Sequence, residues 1–304
     1  MPVINKLLEL TETVTPLSTL TSLSAKLTEK PLGSFTQFLI RQFIKSFNIN
    51  LEEIENKDLS SYKTFNDFFT RKLAEGQRPL DEKAIAVSPV DGTVGQAGDI
   101  KAGRLMQAKG IDYSLKALVG GSAKDEELFR EGLFACIYLS PSNYHRIHMP
   151  VDGELVKTIH IPGKHFPVGT SNINHLEQLY TKNERLVCIF KTAHGYLGVV
   201  MVGAALVGSI ATPWSGTIKR RKDILAETFT DKHFKKGDEI GLFKYGSTVV
   251  CLFSADFGSI DDMFVEGYAV KMGQSMIVPG PSDDNSLDEG KDEGKDEGCC
   301  PLKS

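Results

Sequence analysis

Four residues of this 304-residue chain, Asp91, His145, His148 and Ser247, are of the types that together activate a hydroxyl. Ser247 follows Gly246 in the run Tyr245-Gly246-Ser247-Thr248-Val249-Val250, just beyond Gly237-Asp238-Glu239-Ile240-Gly241-Leu242-Phe243, which reads as strand and turn. An isolated Gly-Ser step is ordinarily only a turn. Held in a tight turn, it is also a bond at which a chain can cut itself and convert the serine into a ketone. A serine hydroxyl is a weak nucleophile at neutral pH, so such chemistry needs a base. Two upstream segments supply the groups. Ser88-Pro89-Val90-Asp91-Gly92-Thr93-Val94 presents a carboxylate at a turn between apolar runs, and Tyr144-His145-Arg146-Ile147-His148-Met149-Pro150 presents two imidazoles three residues apart. In the Asp-His-Ser arrangement the imidazole takes the hydroxyl proton and the carboxylate orients the imidazole. His148 is therefore the expected base for Ser247, with Asp91 on its other ring nitrogen.

These motifs resemble those of the phosphatidylserine decarboxylases of the bacterial, membrane-associated type, self-processing enzymes with a pyruvoyl prosthetic group. The resemblance runs from about Phe65 to Pro279. It includes Phe68-Phe69-Thr70-Arg71, the Ser-Pro-Val-Asp-Gly turn, His145-Arg146-Ile147-His148-Met149-Pro150, Asn183-Glu184-Arg185 and the Gly-Ser-Thr site. The residue before Gly246 is Tyr245, where the family commonly carries Leu. The resemblance implies that Ser247 Oγ attacks the Gly246 carbonyl, that the resulting ester eliminates, and that Ser247 becomes the pyruvoyl group at the start of the smaller of two chains. It further implies a Schiff base between that group and phosphatidylserine, loss of CO2 and release of phosphatidylethanolamine. His145, the first His of the motif, is implied to assist decarboxylation or the proton transfer. Arg146 is open to reading as a phosphate or carboxylate contact or as a surface ion-pair residue. A homodimer is expected by the same resemblance.

Two other readings of the residues stand beside this one. Asp91, His148 and Ser247 could form an uncleaved serine hydrolase triad acting on lipid esters, although the chain has no Gly-x-Ser-x-Gly elbow. Alternatively, the chain could be a non-catalytic lipid-binding module in which both histidines are replaceable.

The elements that must position these groups fall into three stretches. Residues 1–75 are poor in glycine and show helical spacing. From Ser34 to Asn48, Phe35, Phe38, Leu39, Ile40, Phe43, Ile44 and Phe47 wrap a broad apolar face opposite Arg41 and Lys45, the pattern of an interfacial amphipathic helix. From Ala84 onward, short β-branched runs broken by glycine predict strands at Ala84–Val87, Gly92–Val94, Leu133–Leu139, Gly153–Ile159, Leu186–Lys191, Tyr196–Val202, Val207–Ala211, Ser215–Lys219 and Thr248–Phe253. The expected fold is α+β: an N-terminal helical, membrane-docking region (1–75), a β-rich, mainly antiparallel catalytic domain (76–280) cleaved between 246 and 247, and a tail (281–304).

Composition narrows the function classes. The formal charge is -4, but Asp283 to Ser304 carries eight acids and three lysines, a net of -5, which leaves the remainder near +1. Such a tail has too little apolar surface to offset its ordering entropy and is expected to be disordered. A nearly neutral body gives no electrostatic reason to expect nucleic acid. Five cysteines without a CxxC pair read as buried, reduced thiols. His160, His165, His175, His194 and His233 show no ligand spacing, so no metal is expected. There is no apolar run long enough to span a bilayer and no secretory signal pattern. The expected location is peripheral, on the cytoplasmic side of the cell membrane, with the bilayer lipid phosphatidylserine as partner.

Overall fold

The computed structural model describes residues 28–105, 113–166, 179–203, 210–244 and 247–280. Tyr245, Gly246, His175, the first 27 residues, Val207 to Ser209 of one predicted strand and the acidic tail lie outside them.

The predicted amphipathic helix is present at Ser34–Phe47 and ends where Asn48 turns left-handed (φ 49°) and donates its N–H to the Ile44 carbonyl. Only part of its apolar face is used internally. Ile40 is fully buried. The Phe43 ring meets Phe65, Phe68 and Phe69 at centroid distances of 5.2, 6.4 and 5.9 Å. These three belong to a short helix, Phe65–Phe69, started by a capping box in which Thr64 and Asp67 bond reciprocally through side chain and backbone N–H. Phe35, Phe38 and Phe47 remain 49%, 52% and 42% exposed; Phe35 and Phe38 stack on each other and Phe47 leans on Phe43.

The rest of the described chain is β-rich and antiparallel. The main sheet runs, in spatial order, through Leu225–Thr228, Gly153–Ile161, Arg185–Thr192, Gly195–Gly203, Ser247–Phe253, Leu133–Leu139 and Gly92–Lys101, followed by two short strands. Its central strand Ser247–Phe253 is buried along its whole length. Val249, Cys251 and Phe253 enter one apolar core, and Val250 and Leu252 enter another on the opposite face. Alternating side chains thus bury on both faces, which is why this strand reads as one continuous apolar run. Cys136, Cys188 and Cys251 are free and buried, and burial pushes the Cys136 thiol up to about 12, far from reactivity.

Register gathers distant residues at one end of this sheet. Ser247 lies opposite Leu139 on one side and Gly203 on the other. Arg185 lies opposite both Val202 and Ile161, and His160 lies opposite Leu225. The pairing of Thr93 with Tyr138 brings the start of the Gly92–Lys101 strand, and Asp91 before it, to the same end. Gly92 is required there, because a Cβ would lie 2.4 Å from the Tyr138 carbonyl oxygen. A second sheet of four short strands pairs Glu239–Phe243 with Arg146–His148 and Ile210–Thr212, so the strand that carries His148 lies beside the strand that leads into Ser247.

Candidate active site

Ser247 opens the central strand rather than ending it. It is fully buried, and among the described residues its Oγ has no hydrogen-bond partner. A buried hydroxyl left unsatisfied costs about 1–3 kcal/mol and calls for an explanation in function.

Asp91 and His148 approach through the backbone, since the His148 N–H donates to the Pro89 carbonyl at 2.9 Å. Their side chains do not form the expected pair. The Asp91 carboxylate accepts from Arg78 Nε at 2.9 Å, from Arg78 Nη2 at 2.6 Å and from the Met272 N–H at 2.9 Å. Arg78 also bonds Glu53 at 2.6 Å. Burial works against the Arg78 charge, but the two carboxylates prevail and hold it above the ordinary guanidinium range. His148 Nδ1 sits 2.7 Å from the Gly237 carbonyl and Nε2 2.9 Å from Tyr144 Oη. A carbonyl can only accept, so Nδ1 carries the proton and Nε2 offers its lone pair, at present to the Tyr144 hydroxyl. Asp91 therefore does not hold the other ring nitrogen of His148. The guanidinium of Arg78 has claimed the carboxylate, and the Gly237 carbonyl does the orienting. Asp91 still acts through space: burial lowers the His148 pKa, opposed by the Gly237 hydrogen bond and by the charges of Glu239 and Asp91. The result is a neutral imidazole of defined tautomer, the form a base requires.

His145 is fully buried and stacks on Phe69 at 4.1 Å. Among the described residues neither ring nitrogen has a hydrogen-bond partner, although the backbone of Pro141 and Ser140 works against the lowering of its pKa. Burial, aided by the charge of Arg71, pushes its pKa down to about 3. Ser140 follows Leu139, which pairs with Ser247, and the His145 carbonyl accepts from the Phe243 N–H at 2.9 Å, four residues before Ser247. The two unsatisfied side chains, His145 and Ser247, thus belong to one neighbourhood.

The Phe68-Phe69-Thr70-Arg71 motif supports this wall. Phe69 stacks on His145, Thr70 offers its carbonyl to Arg146 Nε at 2.9 Å, and Arg71 Nη2 reaches the Ser142 carbonyl at 3.0 Å to brace the loop before His145. Arg146 also pairs with Glu239 at 2.7 Å. Arg146 thus braces the strand Arg146–His148 against Glu239–Phe243.

Asn183-Glu184-Arg185 forms a second wall. Asn183 Nδ2 bonds the Gly203 and Phe166 carbonyls, each at 2.9 Å, which ties Ser247's neighbouring strand to the segment 164–166. Arg185 donates to the Leu118, Ala117, Thr181 and Asn183 carbonyls and, among the described residues, pairs with no acid. Glu184 accepts from His160 Nε2 and His165 Nε2, each at 2.8 Å. Sequence reasoning left these two histidines scattered. They are 24 and 19 residues from Glu184, and only strand pairing brings them together; the acid in the matched motif was the one available signal.

Burial opposes ionisation of Glu184, but the bonds from His160 and His165 prevail and draw its pKa from 4.5 down to about 2. Between those values the unfolded chain binds more protons at this site than the folded one, so stability rises with pH. Glu184 thus adds stability that is complete above about 4.5 and is lost as the pH falls through about 2. Thermal denaturation across this range is expected to show a shallower acid slope for Glu184→Gln than for the unchanged protein, and equal slopes would remove Glu184 as the cause. Among the described residues no group of His, Cys, Asp and Glu has the arrangement of a metal site.

The family described as phosphatidylserine decarboxylase matches residues 65–278. The phosphatidylserine decarboxylase proenzyme of Vibrio vulnificus (strain YJ016) is 44% identical over 262 residues, which span 84% of this chain and 92% of that protein. That of Dechloromonas aromatica (strain RCB) is 41% identical over 276 residues, 90% of this chain and 98% of the relative. That of Coxiella burnetii (strain Dugway 5J108-111) is 44% identical over 242 residues, 78% and 86% of the two chains.

Proposed function

The chain belongs to the phosphatidylserine decarboxylase family, and on that premise we propose that it cleaves itself between Gly246 and Ser247 and decarboxylates phosphatidylserine to phosphatidylethanolamine with a pyruvoyl group made from Ser247. The observation that carries this reading is the Ser247 hydroxyl, fully buried and unpartnered at the head of the central strand, in a neighbourhood that holds two neutral imidazoles.

In the first stage His148 Nε2 takes the Ser247 proton as Oγ attacks the Gly246 carbonyl carbon. The peptide nitrogen leaves that carbon with the proton His148 took up, and an ester forms; loss of the Ser247 Cα proton then expels the Gly246 carboxylate, and hydrolysis of the resulting imine releases ammonia and leaves the ketone. The Tyr144 hydroxyl must first release Nε2, and catalytic hydrogen bonds commonly tighten only as the reacting groups come together. Gly237 holds the tautomer throughout, while Asp91 adds negative potential that favours the imidazolium as it forms. The buried, unsatisfied environment at residue 247 suits a small carbonyl group better than a hydroxyl, because a ketone has no donor to satisfy. That group would supply a carbonyl that condenses with the substrate amine and withdraws electrons as CO2 leaves. His145 would hold or deliver the proton at the substrate Cα. As a neutral ring it adds no cation of its own to stabilise the departing carboxylate, and the apolar wall of Phe69 disfavours that charge further.

The exposed Phe35, Phe38 and Phe47, on a helix whose polar face carries Arg41 and Lys45, support substrate access through a helix lying in the bilayer interface at the cytoplasmic surface. Among the described residues no helix is long and apolar enough to cross a membrane. The uncleaved hydrolase gains no support from a carboxylate committed to Arg78.

Intact mass under denaturing conditions, with and without hydroxylamine, tests the reading. Two chains meeting at Gly246 and Ser247, the smaller one shifted by the adduct, are expected. His148→Ala should slow the appearance of the two chains by ~100-fold or more, the usual share of a general base. A single unreactive chain from the unchanged protein would overturn the proposal.

A further inference from the structure

We propose that the exposed loop Lys219-Arg220-Arg221-Lys222, together with Ile224, is a second membrane contact that binds the anionic surface of the bilayer beside the active site. It rests on the phosphatidylserine reading for its biological purpose, though not for its test.

Four consecutive cations stand on this loop, all exposed, with Asp223 the sole acid within it. No carboxylate pairs with Lys219, Arg221 or Lys222 among the described residues. Arg220 instead turns inward. Its Nε lies 3.8 Å from Glu184 and its Nη2 3.4 Å from His165, so it anchors the loop to the wall built around Glu184. Ile224 is 52% exposed immediately after the basic run. A cluster of cations with a bulky apolar residue at its edge is the chemistry of an interfacial contact: the charges meet lipid phosphates and the apolar side chain enters the acyl boundary.

Topology gives this surface its meaning. Leu225, next after Ile224, opens the edge strand opposite His160, at the sheet end that also carries Glu184, Gly203 and Ser247. The segment that leads into the phenylalanine helix is tied to the same end, because Glu29, shortly before the helix, pairs with Lys244, three residues before Ser247. Both surfaces are therefore tied to the sheet end that carries the head of the central strand. An aromatic stripe gives affinity for any bilayer. A basic loop adds selectivity for an anionic one, which is where an anionic lipid substrate resides.

The test is co-sedimentation of the full chain with phosphatidylcholine vesicles and with phosphatidylcholine vesicles containing phosphatidylglycerol, an anionic lipid without the substrate's amine. The unchanged protein should bind the anionic vesicles more tightly, and raised salt should erase the difference. Lys219→Glu/Arg221→Glu/Lys222→Glu should weaken binding to the anionic vesicles by at least ~100-fold, since each cation near such a surface accounts for about fivefold, and should leave binding to pure phosphatidylcholine unchanged. Phe35→Ser/Phe38→Ser should weaken both alike. An unaltered melting temperature shows that the triple variant is folded. Unchanged binding to the anionic vesicles, or equal loss on both kinds, would overturn the proposal. Failure of self-cleavage in the unchanged protein would sink the decarboxylase reading and leave this measurement intact.

Discussion

Ser247→Ala is expected to yield one chain of 33.4 kDa with no reaction toward hydroxylamine and no decarboxylation. The loss is complete because the same oxygen is the nucleophile of cleavage and the precursor of the carbonyl. The fold should not suffer. The Oγ is buried without a partner, so its removal relieves an unsatisfied polar atom and leaves nearly the same volume. The variant should be as stable as the uncleaved parent or more so, by about 1 kcal/mol. Denaturing mass spectrometry and a thermal melt of the same sample check both halves. Two fragments from this variant would move the cleavage site elsewhere, and a melt several degrees lower would mean that Oγ has a stabilising partner.

The second large effect is expected at His145. His145→Phe keeps a flat ring on Phe69 and fills the buried space, so cleavage into two chains should proceed, with His148 untouched. Decarboxylation should fall by ~100-fold to 10,000-fold, the range assigned to a positioned proton donor or acceptor. Because burial holds the His145 pKa at about 3, its ring stays neutral well below neutral pH. The pH profile of the unchanged enzyme should therefore show no step from this residue near the ordinary imidazole range, about 6.5. Retention of decarboxylation would remove His145 from the reaction, and loss of cleavage would place it in the first stage beside His148.

Local pattern was sufficient for several elements. Leu133–Leu139 has the same bounds in sequence and structure, and the Ser34 to Asn48 spacing matches the observed helix Ser34–Phe47 with Asn48 as its cap, because in each case the local apolar pattern settles the period without help from elsewhere. The Gly92–Lys101 strand was legible only to Val94. Beyond it Gly95, Gln96, Gly98 and Asp99 have low strand propensity, and pairing with Leu133–Leu139 overrides them. Leu225–Thr228 passed unread because an exposed edge strand needs no apolar alternation.

For the site, the identities of Asp91, His145, His148 and Ser247 were evident in the sequence, since residue type and the order of motifs are properties of the chain itself. Which oxygen meets which nitrogen was not. Arg78 draws off the carboxylate, Gly237 and Tyr144 take the two nitrogens of His148, and Glu184 collects His160 and His165, all through pairings across many residues. Such partners depend on the register and end-to-end alignment of strands, and one residue of slip would turn each side chain to the opposite face. The chain alone determined which groups could react; the folded sheet decided which are charged, which are neutral and which are left without a partner.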